Sequence, residues 1–186
     1  KRKEGVTTMG PDLAVNSIGA GPYAPWIWNT LATVYVEFGR IEDAGKAYDH
    51  CLQLAPSFAY AHNNLGKILR SRSEWALAEA SYQRAIAERP DFPDAYNNLS
   101  KLMMAQGRVR DAVLYACKTV TLLPHDAEAR SLLGFAYYTL GEIGKAADIF
   151  REWLANDPTN PVALHHLAAC TGQHVPERAT DAYVQR

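Results

Sequence analysis

Cysteine is scarce in this chain, at three of 186 residues. Cys51, Cys117 and Cys170 are odd in number and scattered, which argues against a disulfide framework and fits a reducing cytoplasm. Charge of one sign is lacking too. The formal net charge is −1, so neither an acidic disordered tail nor a basic nucleic-acid-binding surface is expected. No apolar run approaches the ~18 residues that a membrane span needs. The opening residues KRKEGVTTMG lack the apolar core of a secretory signal. No phosphate-cradling loop, paired acid or Ser–His–Asp order stands out, and no cofactor is expected. The chain opens on Lys1 without a methionine, so it is expected to be a fragment or to carry tag remnants.

What the chain does have is a period. Residues 61–90 read AHNNLGKILRSRSEWALAEASYQRAIAERP. Apolar spacing predicts a helix over residues 59–71, with Leu65, Gly66 and Leu69 on its inner stripe, and a second over 74–88, with Trp75, Ala78, Tyr82 and Ala85. One hairpin alone buries neither stripe, so the unit needs neighbours of its own kind. Steps of 34 residues find them. Leu65 recurs as Leu31, Leu99, Leu133 and Leu167; Ala78 as Ala44, Ala112 and Ala146; Pro90 as Pro22, Pro56, Pro124 and Pro158. The turn residue is Gly39, Gly107 and Gly141, with Ser73 as the exception, which should make that turn slightly less favourable.

A helix–turn–helix period of this length resembles the tetratricopeptide repeat, over residues 25–171. The resemblance implies an all-α, right-handed superhelix, an α-solenoid of stacked hairpins. Repeats are expected at residues 25–58, 59–92, 93–126 and 127–160, with a capping helix over 161–171. Asp91 is a plausible cap for the third repeat's first helix, with Pro93 in its first turn. Inner positions of the fourth repeat include Leu133, Gly134, Ile143, Ala146, Phe150 and Trp153, and of the capping helix Leu164, Leu167 and Ala168. Residues 1–24 are either an arm or the remnant of an earlier repeat, in which residues 12–18 would be a short helix. Residues 172–186 break the period. Val175 to Ala179 and Asp181 to Val184 resemble the junction of bacterial proteins in which such an array precedes an S-adenosylmethionine-dependent methyltransferase domain.

The repeats imply a groove lined by first helices. On the second repeat that face carries Tyr60, Asn63, Lys67 and Arg70, with Asn64 beside it. Asn29, Asn63 and Asn97 align, as do Asn64 and Asn98. Asparagine is a mediocre helix former, and its amide can hold another chain's backbone through a donor and an acceptor. The pattern is similar to the asparagine ladder in the superhelix of O-linked GlcNAc transferase, carried over to Asn64 and Asn98. The alternatives are a solvated polar face or hydrogen bonds between helices. Around the ladder sit Trp26, Asp94, Glu128, a basic patch of Lys67, Arg70 and Lys101, and an aromatic pair, Phe135 and Tyr138. Together they suit an acidic or carboxylate-bearing peptide with an apolar anchor. Chaperone-tail clamps of the family need a basic residue where this chain has Asn29 and an asparagine where it has Thr33, so the chain departs from that pattern. His166 and Cys170 have helix-compatible metal spacing, but Gly172 should end the helix before His174, and no metal site is expected.

The expected function is a non-catalytic scaffold that binds an extended peptide or partner protein, and neither nucleic acid nor membrane. The alternatives are a substrate-recruiting fragment of a methyl- or sugar-transferring enzyme, and a homo-oligomer in which the arm fills a neighbour's groove.

Overall fold

The computed structural model describes residues 21–172. Among them it contains nine α-helices and no strand: α1 (Ala24–Glu37), α2 (Ile41–Leu54), α3 (Ala59–Ser71), α4 (Trp75–Glu88), α5 (Pro93–Ala105), α6 (Val109–Leu122), α7 (Ala127–Thr139), α8 (Ile143–Asn156) and α9 (Pro161–Thr171). Residues 12–18 and 175–184, expected as a short helix and a junction, lie outside the described residues. The described residues form two compact units that divide between Pro90 and Asp91.

The first unit holds hairpins α1–α2 and α3–α4, with α2 packed on α3 and α1 beside α3. Both hairpins turn through a left-handed residue, where glycine pays no steric penalty. Gly39 has φ +72° and Ser73 has φ +61°, the sole positive φ outside glycine among the described residues. The bonds that close the two turns are the same. Arg40 N–H donates to Tyr35 O at 2.8 Å, and Glu74 N–H to Leu69 O at 2.9 Å. Ser73 therefore takes the glycine's conformation and bears the strain that its Cβ brings.

Small residues let the paired helices close up. A Cβ at Gly66 would stand 2.7 Å from the ring of Tyr82, which is fully buried. In the first hairpin the corresponding pair is Ala32 and Tyr48, at 0% and 2% exposure. Leu31, Tyr35, Ala44, Tyr48, Cys51, Ala61 and Ile68 make one apolar cluster. Cys51 is buried, donates its thiol to Pro25 O at 3.1 Å, and is pushed up to about 11 by burial, as a small core residue should be.

The second unit holds hairpins α5–α6 and α7–α8, with α9 packed on α8. Gly134 repeats the Gly66 arrangement against Phe150. Where the large ring is replaced by Ala116, the facing position is Ser100, whose hydroxyl donates to Ala112 O at 2.8 Å. Ala112, Ala116 and Ser100 are all fully buried. Asp126 and Asn160 cap α7 and α9 by accepting from Ala129 N–H at 2.7 Å and Ala163 N–H at 3.1 Å.

Four details differ from the expectations. Asp91 does not cap α5: the cap position is Phe92, with no side-chain bond, and Pro93 opens the helix. Trp75 and Ile143, expected in the core, are 39% and 36% exposed. Each is the first residue of its helix, beside the turn that closes its hairpin. Leu65 and Leu69 are half-buried, whereas Ala61 and Ile68 are buried. First helices pack against their own partner and against the preceding second helix, so the buried arc is wider than one stripe. Leu164, expected on the inner stripe of α9, is 38% exposed.

Candidate functional site

In the first unit the amides of α1 and α3 meet. Asn64 Nδ2 donates to Asn29 Oδ1 at 3.4 Å. Asn64 also bonds the phenol of Tyr48, whose oxygen lies 3.2 Å from Thr33 Oγ1. Burial pushes the Tyr48 phenol up from its ordinary value. Hydrogen bonding between helices, one of the alternatives for the asparagine pattern, therefore applies to Asn29 and Asn64. A primary amide has two donors and two lone pairs, so one such rung leaves it capacity for a ligand. Asn63 is a correction: at 5% exposure it is buried and does not present its amide to solvent. The wide buried arc of α3 takes it in.

Beside this pair is an aromatic cluster. Trp26 meets Phe58 edge-on at 4.7 Å between ring centroids and Tyr60 at 5.5 Å. Arg89 donates to the Tyr60 hydroxyl and lies 5.3 Å from its ring centroid. Trp26 remains 52% exposed, a large ring held by neighbours yet open to a ligand. Sequence reasoning missed Phe58 and Arg89. Their signal is place: Phe58 immediately precedes α3, and Arg89 immediately follows α4. Lys67 is exposed and Arg70 half-buried, and among the described residues neither meets a carboxylate.

In the second unit Asn97 and Lys101, one turn apart on α5, converge on Glu128 of α7. Asn97 Nδ2 donates to Glu128 Oε2 at 3.3 Å and Lys101 Nζ pairs with Oε1. The Lys101 hydrogen bond, before any other cause, holds the Glu128 carboxyl below its usual value. This corrects the expected basic patch: Lys101 spends its charge on Glu128, whose spacing places it opposite. Asn97 Oδ1 is buried and unpartnered. Asn98 is half-buried, and Asp94 is exposed in the first turn of α5, where the helix dipole favours an acid. Phe135 and Tyr138, one turn apart on α7, are 47% and 43% exposed.

Among the described residues no three His, Cys, Asp or Glu side chains converge as a metal set. His166 stacks on Phe150 at 5.0 Å, and burial, with His165 adding to it, lowers its pKa. No described helix is long and apolar enough to cross a membrane.

A family model for the tetratricopeptide repeat matches residues 29–93, 69–121 and 97–161. The chain belongs to the tetratricopeptide repeat family. Anaphase-promoting complex subunit 3 of Schizosaccharomyces pombe (strain 972 / ATCC 24843) is 23% identical over 138 residues, 74% of this chain and 21% of that protein. This tetratricopeptide repeat chain thus spans about a fifth of that curated relative's length. Among solved structures, YrrB, described as a TPR protein with an unusual peptide-binding site, superposes with a TM-score of 0.72 at 19% identity, covering 87% of this chain and 82% of its own. The first TPR of Spaghetti (RPAP3), bound to the HSP90 peptide SRMEEVD, gives a TM-score of 0.60 at 18% identity, covering 63% of this chain and 93% of its own. At these identities the likeness to the solved structures carries the fold alone.

Proposed function

We propose that this chain is a protein–protein interaction scaffold whose first helices bind an extended peptide. Exposed aromatic rings beside helix-face amides are the observation that carries this reading. Trp26 stands half open beside the Asn29–Asn64 pair. Rigid rings supply contact area at small conformational entropy, and amides hold a backbone without reading its side chains. The cations Lys67 and Arg70 favour a peptide that carries carboxylates. The peptide-binding site in the YrrB description and the HSP90 peptide in the Spaghetti description lend support by family likeness. An adaptor role within a longer cytoplasmic protein, joined through residues 175–184, is the finer form of the same proposal.

The test is a selection of displayed peptides on the immobilised chain, followed by measured affinities. Trp26→Ala and Asn64→Ala should each weaken the selected peptides about tenfold or more, with helicity retained. Unaltered affinity in both variants contradicts the proposal. A selection that returns no peptide contradicts it also.

A further inference from the structure

In the second unit α5 and α7 lie side by side. Asp94 and Lys101 stand seven residues apart on α5, and Glu128 and Phe135 seven apart on α7, so each pair shares one helical face. Asp94 and Glu128 are exposed, and so are the rings of Phe135 and Tyr138. Of these positions Lys101 alone carries a cation, against two carboxylates, so the face is acidic by one charge. That cation is already committed, since Lys101 pairs with Glu128. The hydrogen bonds favour the same sign of ligand. Glu128 accepts from Asn97 Nδ2 at 3.3 Å and from Lys101 Nζ, while a carboxylate offers about four lone-pair sites. Asn97 Oδ1 is buried and has no donor. The unfilled sites are therefore acceptors. A carboxylate ligand would bring only more of them. A guanidinium brings N–H donors in a rigid fork and a positive charge, and its flat face can lie on an exposed aromatic ring.

Spacing sets the register of such a ligand. The seven residues from Glu128 to Phe135 advance about 10 Å along α7. A peptide laid along the helix in extended form covers that distance in about three residues. We propose that the α5–α7 face takes an extended peptide that carries arginine about three residues from an aromatic or aliphatic side chain, with the guanidinium on Glu128 and Asp94 and the apolar group on Phe135. This rests on the reading of the first helices as a peptide-binding face. It adds that the second unit selects a cation, whereas Lys67 and Arg70 of the first unit, which meet no carboxylate among the described residues, favour an anion.

Two labelled peptides titrated into the whole chain test this: Gly-Ala-Arg-Ala-Ala-Phe-Gly and its counterpart with glutamate for arginine. Fluorescence anisotropy reads affinity, and the Asn97 side-chain amide resonance reads place. The arginine peptide should bind about tenfold tighter than the glutamate peptide and shift that resonance. Glu128→Gln should bring the two peptides to near parity, and Lys101→Gln should widen the gap about threefold. Both variants break the Lys101–Glu128 pair, so opposite movements cannot come from weakened packing. Equal affinities in the unaltered chain, a tighter glutamate peptide, or the same movement in both variants overturns the proposal. Binding of the arginine peptide that leaves the Asn97 resonance silent and is abolished by Trp26→Ala overturns this assignment while keeping the first helices as a peptide face. Failure of both peptides to bind also overturns it, and the first-helix reading then stands or falls on the displayed-peptide selection.

Discussion

Two tyrosines in the same repeat position should respond oppositely to loss of one oxygen. Tyr48 and Tyr82 are both core residues, at 2% and 0% exposure. The Tyr48 hydroxyl has Thr33 and Asn64 as partners, whereas the Tyr82 hydroxyl is buried without one. An unpartnered buried polar group costs about 1–3 kcal/mol, and an intact hydrogen bond contributes about 0.5–1.5 kcal/mol net. Tyr82→Phe should therefore stabilise the chain by about 1 kcal/mol, and Tyr48→Phe should destabilise it by a similar amount. The ring survives in both variants, so the cavity term is nearly absent. The chain already places phenylalanine there in another repeat, as Phe150 at 1% exposure. For a protein of this size each change is worth roughly 2–4 °C in Tm. Thermal and urea melts followed by far-UV circular dichroism read both. Burial pushes the Tyr82 phenol up to about 12, so its absorbance titration should lag behind that of exposed tyrosines. Shifts of the same sign in the two variants, or a lower Tm for Tyr82→Phe, would refute the reasoning.

Three further outcomes can be measured with the same melts. Ser73→Gly should stabilise by about 0.5–1 kcal/mol, since relief of the left-handed strain exceeds the added unfolded-state entropy; a fall in Tm rejects this. Gly66→Ala should destabilise by about 1 kcal/mol or more, because overpacking against Tyr82 at 2.7 Å outweighs the gain in helix propensity; a stabilised variant means the ring can yield. Acid should weaken the fold in two steps. His166 has a lowered pKa, so the unfolded chain binds its proton more readily and stability erodes as pH falls below 6.5. The Glu128 carboxyl is also lowered, so its contribution is complete above the ordinary carboxyl value of 4.5 and disappears as pH falls further. His166→Asn should flatten the first step alone and Glu128→Gln the second; the converse pattern would mean the groups are misassigned.

The repeat was legible because its signals are steric. A left-handed turn residue, a small residue where helices close up, and a proline after each second helix leave marks at fixed intervals. Ser73 broke the composition but not the conformation. The candidate site was legible in part. Trp26, Phe135 and Tyr138, picked out by their place on the first helices, are exposed. Pairing between side chains was not legible. That Lys101 spends its charge on Glu128, or that Asn29 meets Asn64, depends on how two helices are offset along their axes. Hydrophobic spacing does not encode that offset. Asn63 was misread for a related reason: a helix packed on both sides exposes a narrower strip than an amphipathic surface helix does.

The central claim is that the first helices, and not the second, take the ligand. Side-chain amide and indole resonances report it directly when a selected peptide is titrated into the labelled chain. The account predicts shifts at Asn29, Asn64 and Trp26, with α2 and α4 silent. Shifts confined to the second helices would contradict it.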